Sequence, residues 1–163
     1  MPREVSLVWF APLPTLRDNF AASKMLSREE LDRLSAKIAA AEQLTSAELC
    51  VVLTKSSWFG IKNKAHKLFR KYGLHKTAQR NAVMILVDTR SRELLIYGDD
   101  GVHQRVDEMF WSDVRDAMVE ELRAGRLADA LATGIRLVGE KLALLFPAVA
   151  NDRNEIANEV IFA

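Results

Sequence analysis

One cysteine, four prolines and seven glycines are all that 163 residues hold of the types that staple, kink or loosen a chain. The single cysteine, Cys50, excludes an intrachain disulfide and any zinc site built from cysteines. Its neighbours Leu49, Val51 and Val52 mark it as a buried, inert thiol rather than a nucleophile. Long apolar runs are missing as well. Val5 to Phe10 is too short to span a bilayer and leads into Pro12 and Pro14. It lacks the charged start, long apolar core and small-residue cleavage site of a secretory signal, so the expected location is cytoplasmic. No GxSxG, Walker loop, HExxH or CxxC occurs, and Gly98 and Gly101 do not complete a dinucleotide fingerprint. Acidic residues are absent from Leu49 to Val87, an interval with eight Lys and Arg plus His66 and His75. From Asp88 onward fifteen acids face nine Lys and Arg, so the net charge of +1 conceals a basic first half and an acidic second half. Such asymmetry has two explanations: attraction between the halves on folding, or a basic face that meets an anionic partner.

What is present is the composition of one ordinary soluble domain, 49% hydrophobic and 28% charged. Residues 1–24 read as an N-terminal extension packed by Trp9 and Phe10, 25–147 as an α/β domain, and 148–163 as a tail laid over the surface. Ser27 and Glu30 form a capping box, Leu26 and Leu31 a hydrophobic staple. Leu31, Leu34, Ile38 and Ala41 continue at helical spacing to about Gln43. Leu49 to Thr54 and Asn81 to Val87 are continuous apolar, β-branched runs, the mark of strands covered on both faces. Between them Ile61, Ala65, Leu68, Phe69 and Tyr72 make one face of a helix that Gly73 stops. Strand, helix, strand at this spacing implies a parallel crossover. The polar turn Asp88 to Arg92 returns the chain, so Glu93 to Tyr97 should pair antiparallel with the second strand. Two more helices follow, through Val106, Phe110, Val114 and Leu122, and through Leu127, Leu131, Ile135, Val138 and Leu142. The expected architecture is a three-layer α/β/α sandwich. Its small mixed sheet has two parallel strands and an antiparallel return strand, with about four helices around it.

The unusual stretch is Gly98-Asp99-Asp100-Gly101-Val102-His103. Two carboxylates between two glycines are poor material for a strand or helix and read as a shaped turn. The third strand leaves the sheet where the first two enter it. The turn should therefore meet Thr45, Ser46 and Glu48 on one side and Thr77, Arg80 and Asn81 on the other. Lys55, Trp58, Asp88 and Arg90 fall on the opposite rim, where open α/β sheets usually bind ligands. An oxygen-rich rim suits a hard cation, since calcium takes roughly six to eight oxygens. Glu48, Asp99 and Asp100 are thus candidate ligands for calcium or another divalent cation. The alternative is structural: Arg80 pairs with an aspartate while Asn81 and Glu48 bond loop backbone. His103 near Asp99 or Asp100 would make an acid/base pair, and Arg80 is the nearest phosphate-binding cation.

The ordered set Thr45-Ser46-Ala47-Glu48, Arg80-Asn81, Gly98-Asp99-Asp100-Gly101-Val102-His103, Phe110-Trp111 and Gly139…Leu142…Phe146-Pro147 resembles the TPM-domain family from about Leu26 to Phe146. The tail Asn151-Asp152-Arg153-Asn154-Glu155 is similar to that of small bacterial members. The resemblance implies an α/β/α sandwich with a small sheet. It also implies acid phosphatase action, proposed for plant members, and calcium, associated with relatives whose acidic residues match Asp99 and Asp100. The chain lacks the signal peptide and trailing membrane helix of exported members and looks more like the short form without anchors.

Three functions follow as expectations. The first is a module of envelope or membrane-protein maintenance. It binds a divalent cation at Glu48, Asp99 and Asp100 and a protein or anionic partner through the basic face of Lys62, Lys64, Lys67 and Lys71, at the inner membrane surface. The second is a metal-assisted acid phosphatase using Arg80 or His103. The third is anion or nucleic-acid binding through the basic helix 61–72. Nucleic acid is the weaker ligand, because that helix lacks exposed aromatics and the chain is nearly neutral.

Overall fold

The computed structural model describes residues 4–8 (backbone only), 25–150 and 158–163. Its centre is the pair of apolar runs. β2 (Leu49–Thr54) and β3 (Val83–Asp88) lie parallel and in register from Leu49 opposite Val83 to Thr54 opposite Asp88. All six residues of each strand are buried. β4 (Glu93–Gly98) returns antiparallel beside β3, with Val83 opposite Gly98. The expected three-stranded core is therefore present, and two edge strands extend it. β1 (Glu4–Val8) pairs antiparallel with β4, and β5 (Ile161–Phe162) pairs parallel with β2, giving the order β1-β4-β3-β2-β5. The ends read as an extension and a surface tail thus each supply a strand. Residues 9–24 and 151–157, including Trp9 and Phe10, lie outside the described residues.

Successive residues of a strand point to opposite faces, and the two cores divide on that rule. Leu49, Val51, Leu53, Val83, Ile85 and Val87 pack under α1 (Arg28–Gln43), α4 (Glu108–Arg123) and α5 (Leu127–Leu145). Cys50, Val52, Met84, Leu86, Leu95 and Tyr97 pack under α2 (Ile61–Lys71) and the 3-10 turn Leu74–Lys76. Apolar residues at both parities are why the strands lack polar alternation. The layers are helix, sheet, helix, as the sequence implies. The capping box at Ser27 forms with both of its hydrogen bonds, Glu30 N–H to Ser27 Oγ at 3.1 Å and Ser27 N–H to Glu30 Oε2 at 2.8 Å.

One local expectation fails. The acidic turn is not simply a turn: Gly98 ends β4, and Asp100–His103 form a single helical turn, α3. Asp99 caps it by accepting the Asp100 N–H at 2.9 Å. Aspartate is a good helix starter because its side chain satisfies an amide that has no partner inside the helix.

Candidate functional site at the strand-entry rim

The rim where β2 and β3 begin is held by backbone and side-chain bonds between three loops. Val83 N–H donates to Glu48 O (2.9 Å), Asp99 N–H to Ala82 O (3.0 Å) and Gly101 N–H to Arg80 O (2.8 Å). Thr77 Oγ1 accepts the Asn81 N–H, and the Gln79 side-chain amide donates to Ser46 Oγ. Thr45, expected here, turns its hydroxyl toward the carbonyls of Leu142 and Phe146. Gly101 is a glycine because of close approach. A Cβ there would lie 2.1 Å from the Gln79 carbonyl oxygen and 2.7 Å from that of Arg80.

Arg80 is the centre of this rim. Its φ is +52°, in the left-handed region that non-glycine residues seldom adopt. Its guanidinium donates twice to Asp99, Nε to Oδ2 at 2.7 Å and Nη2 to Oδ1 at 2.8 Å. Asp99 is 1% exposed, so nearly all the shielding of its charge comes from this two-pronged bond and the Asp100 amide. Hydrogen bonding to Asp99, then its charge, raises the Arg80 pKa above the ordinary arginine value. Asp100 stays half exposed, 3.8 Å from Arg80 Nη2.

The structure thus places Glu48, Asp99, Asp100 and Arg80 on one rim but gives Asp99 to Arg80. Both carboxylate oxygens of Asp99 are engaged, so a cation there would have to displace a guanidinium. Among the described residues no three His, Cys, Asp or Glu side chains are grouped to hold a metal ion. The donor set does not fit a divalent cation held beside Arg80, since such ions need several uncommitted oxygens. Glu48 is buried. His103 ends α3; its N–H donates to Asp99 O, but Nδ1 is buried without a hydrogen-bond partner, and the ring bonds neither aspartate. Lys62, Lys67 and Lys71 are exposed on α2, and Lys64 is half buried.

Beside Arg80 the structure opens a cleft of about 290 Å³ lined by His66, Phe69, Arg70, His75, Arg80, Tyr97 and Asp99. Among the described residues the Arg70 side chain forms no ion pair or hydrogen bond, though its carbonyl accepts the Gly73 N–H. His75 Nδ1 is buried with no hydrogen-bond partner. The Arg80 Nη1 edge is not used by Asp99. Tyr97 forms the floor, with the His66 and Phe69 rings 5.2 and 4.7 Å away. Two guanidiniums and two imidazoles line this space, and the one carboxylate among its described lining residues, Asp99, is committed to Arg80. The sequence reading did not bring these residues together. The signal was available: His66 and Arg70 are four apart on one flank of α2, and Tyr97 shares its strand face with Leu95, toward α2.

At the opposite rim Lys55, Trp58, Asp88 and Arg90 come together as the strand directions imply. With Ser56, Ser57 and Ser91 they line a cleft of about 420 Å³. Asp88 is buried and accepts from Ser57 Oγ and from the amides of Arg90 and Ser91.

The fold is a small mixed sheet between helical layers, with an arginine-clamped aspartate at its strand-entry rim. The TPM domain family model matches residues 20–141, and the chain belongs to that family. A similar solved structure is the NMR structure of BA42 protein from the psychrophilic bacterium Bizionia argentinensis. It is 29% identical, with a TM-score of 0.81, over 88% of this chain and 99% of that one. Among curated proteins none matches. No helix among the described residues is long and apolar enough to cross a membrane.

Proposed function

We propose that this protein is a binding module for a small anionic group, a phosphate monoester being the best chemical fit, received in the cleft between α2 and Arg80. One observation carries the reading: Arg70, Arg80, His66 and His75 line one space in which, among the described residues, the single carboxylate, Asp99, is already bound. Arginine suits this role because its planar fork gives paired, directed hydrogen bonds to phosphate oxygens. Asp99 acts here as a positioning residue, since its grip orients the Arg80 guanidinium. The cleft has room for a phosphate and a small substituent, and its tyrosine floor suits an aromatic or sugar ring. This reading keeps the anionic partner expected of the basic half and moves its site to the cleft at the inner flank of α2.

The test is calorimetric titration with phenyl phosphate. Wild type should bind saturably, and Arg70→Gln, an exposed substitution, should bind about tenfold more weakly, as loss of one charge-assisted contact implies. Absence of saturable binding up to about 10 mM, a free energy near −3 kcal/mol, would sink the reading. The same mixture decides the hydrolytic alternative. Steady release of inorganic phosphate that is lost in folded Asp99→Asn would make the site a phosphatase.

A further inference from the structure

Among the described residues Trp58 and Phe59 are the one adjacent pair of large, exposed hydrophobic side chains, 87% and 78% exposed. They sit on the loop between β2 and α2, at the rim opposite the anion cleft. Trp58 lines the 420 Å³ cleft with Lys55 and Arg90, and also a second cleft of about 260 Å³ with Phe59, Lys64 and Lys67. It is therefore the ridge between two hollows rather than a wall of either. The Lys67 ammonium lies 5.6 Å from the Phe59 ring centre. Of the nearby carboxylates, Asp88 is buried and engaged by Ser57 and two amides, and Glu93 accepts from Ser91 Oγ.

We infer that this tip docks on an anionic phospholipid surface, with Trp58 and Phe59 entering the interface and Lys55, Lys64, Lys67 and Arg90 meeting the headgroups. Tryptophan favours the headgroup boundary because its ring is apolar and its N–H is polar. Lysines beside it lay their methylenes on apolar surface and keep the ammonium in water. Neither signal anchors a protein alone, but apolar insertion and headgroup attraction together give reversible binding. A nucleic acid would call for a groove that tracks its backbone, whereas here the aromatics form a ridge. Among the described residues neither aromatic joins the domain core, and exposed apolar pairs of this kind mark interaction surfaces. With the tip on a bilayer, the anion cleft at the other end of the strands remains open to solution. This inference does not rest on the anion site.

The test is co-sedimentation with phosphatidylcholine vesicles, with and without phosphatidylglycerol, at low and high salt. Wild type should sediment only with the anionic vesicles and less at high salt. Trp58→Ser/Phe59→Ser and, separately, Lys64→Gln/Lys67→Gln should each bind at least about tenfold more weakly. All four positions are exposed or half-exposed, and an unchanged circular dichroism spectrum would verify the fold. Failure of wild type to bind anionic vesicles at low salt overturns the inference. So does unchanged binding by the aromatic variant, or tip-dependent binding of an oligonucleotide without vesicle binding.

Discussion

Arg80 and Asp99 should be energetically coupled far more strongly than a surface ion pair, and a double-mutant cycle can measure it. Asp99 is almost wholly buried, while the Arg80 side chain is 50% exposed. Exposed pairs contribute about 0–1 kcal/mol. Removing one partner of a fully buried pair costs about 3–5 kcal/mol. A pair with one end in water falls between, and two charge-assisted bonds support about 2 kcal/mol of coupling. The cycle is Arg80→Ala, Asp99→Asn and the double variant. Asparagine is chosen because it keeps a side-chain oxygen for the Asp100 amide, so the cap on α3 survives. Alanine at position 80 keeps the left-handed backbone, so the strain of that residue cancels across the cycle. The assay is urea unfolding, read at the midpoint with the slope unchanged. Arg80→Ala alone should lower stability by about 2 kcal/mol because it strands a buried carboxylate. Coupling below about 0.5 kcal/mol would refute the view that Arg80 grips Asp99.

Other expectations follow from the same geometry. Gly101→Ala forces a Cβ within 2.1 Å of backbone oxygen; it should cost about 3 kcal/mol in urea unfolding, since backbone rather than a flexible side chain must move. Burial, then the charges of Glu42 and Glu48, push the Cys50 thiol up to about 12 from 9.0. Its contribution to stability is therefore complete below about pH 9 and is lost as pH rises toward 12, because only the unfolded chain releases the proton there. Cys50→Ala should flatten that alkaline decline, and native Cys50 should resist iodoacetamide until the chain is unfolded. Trp58→Ser/Phe59→Ser should change thermal stability by less than about 0.5 kcal/mol, since neither ring is part of the core.

The sheet was legible because β2 and β3 are continuous apolar runs of strand length bracketed by Ser27-capped and Gly73-stopped helices. Their directions placed Arg80 beside Asp99 and Trp58 beside Asp88. The edge strands were not legible. Ile161–Phe162 is two residues long, and Glu4–Val8 lies ahead of a proline-containing segment with no turn to tie it to β4. The one-turn helix was hidden because Asp99 suits a turn and a helix cap equally well. At the rim, residue types alone could not decide between a cation and Arg80 as the partner of Asp99. That choice depends on the left-handed backbone at position 80, which the sequence of a non-glycine residue does not announce. The cleft was missed for a related reason: His66, Arg70, His75 and Tyr97 come from three elements and meet only when α2 lies over β4.

The most direct measurement is a two-dimensional amide NMR titration of the wild-type protein with phenyl phosphate and, separately, with calcium. Arginine-clamped Asp99 and an open cationic cleft lead to one expected result. Phosphate should shift the amides of His66, Arg70, His75 and Arg80 saturably, and calcium should leave Asp99 to Val102 unmoved. Saturable calcium shifts at Asp99 and Asp100, with no response to phosphate along α2, would contradict it and return the rim to a cation.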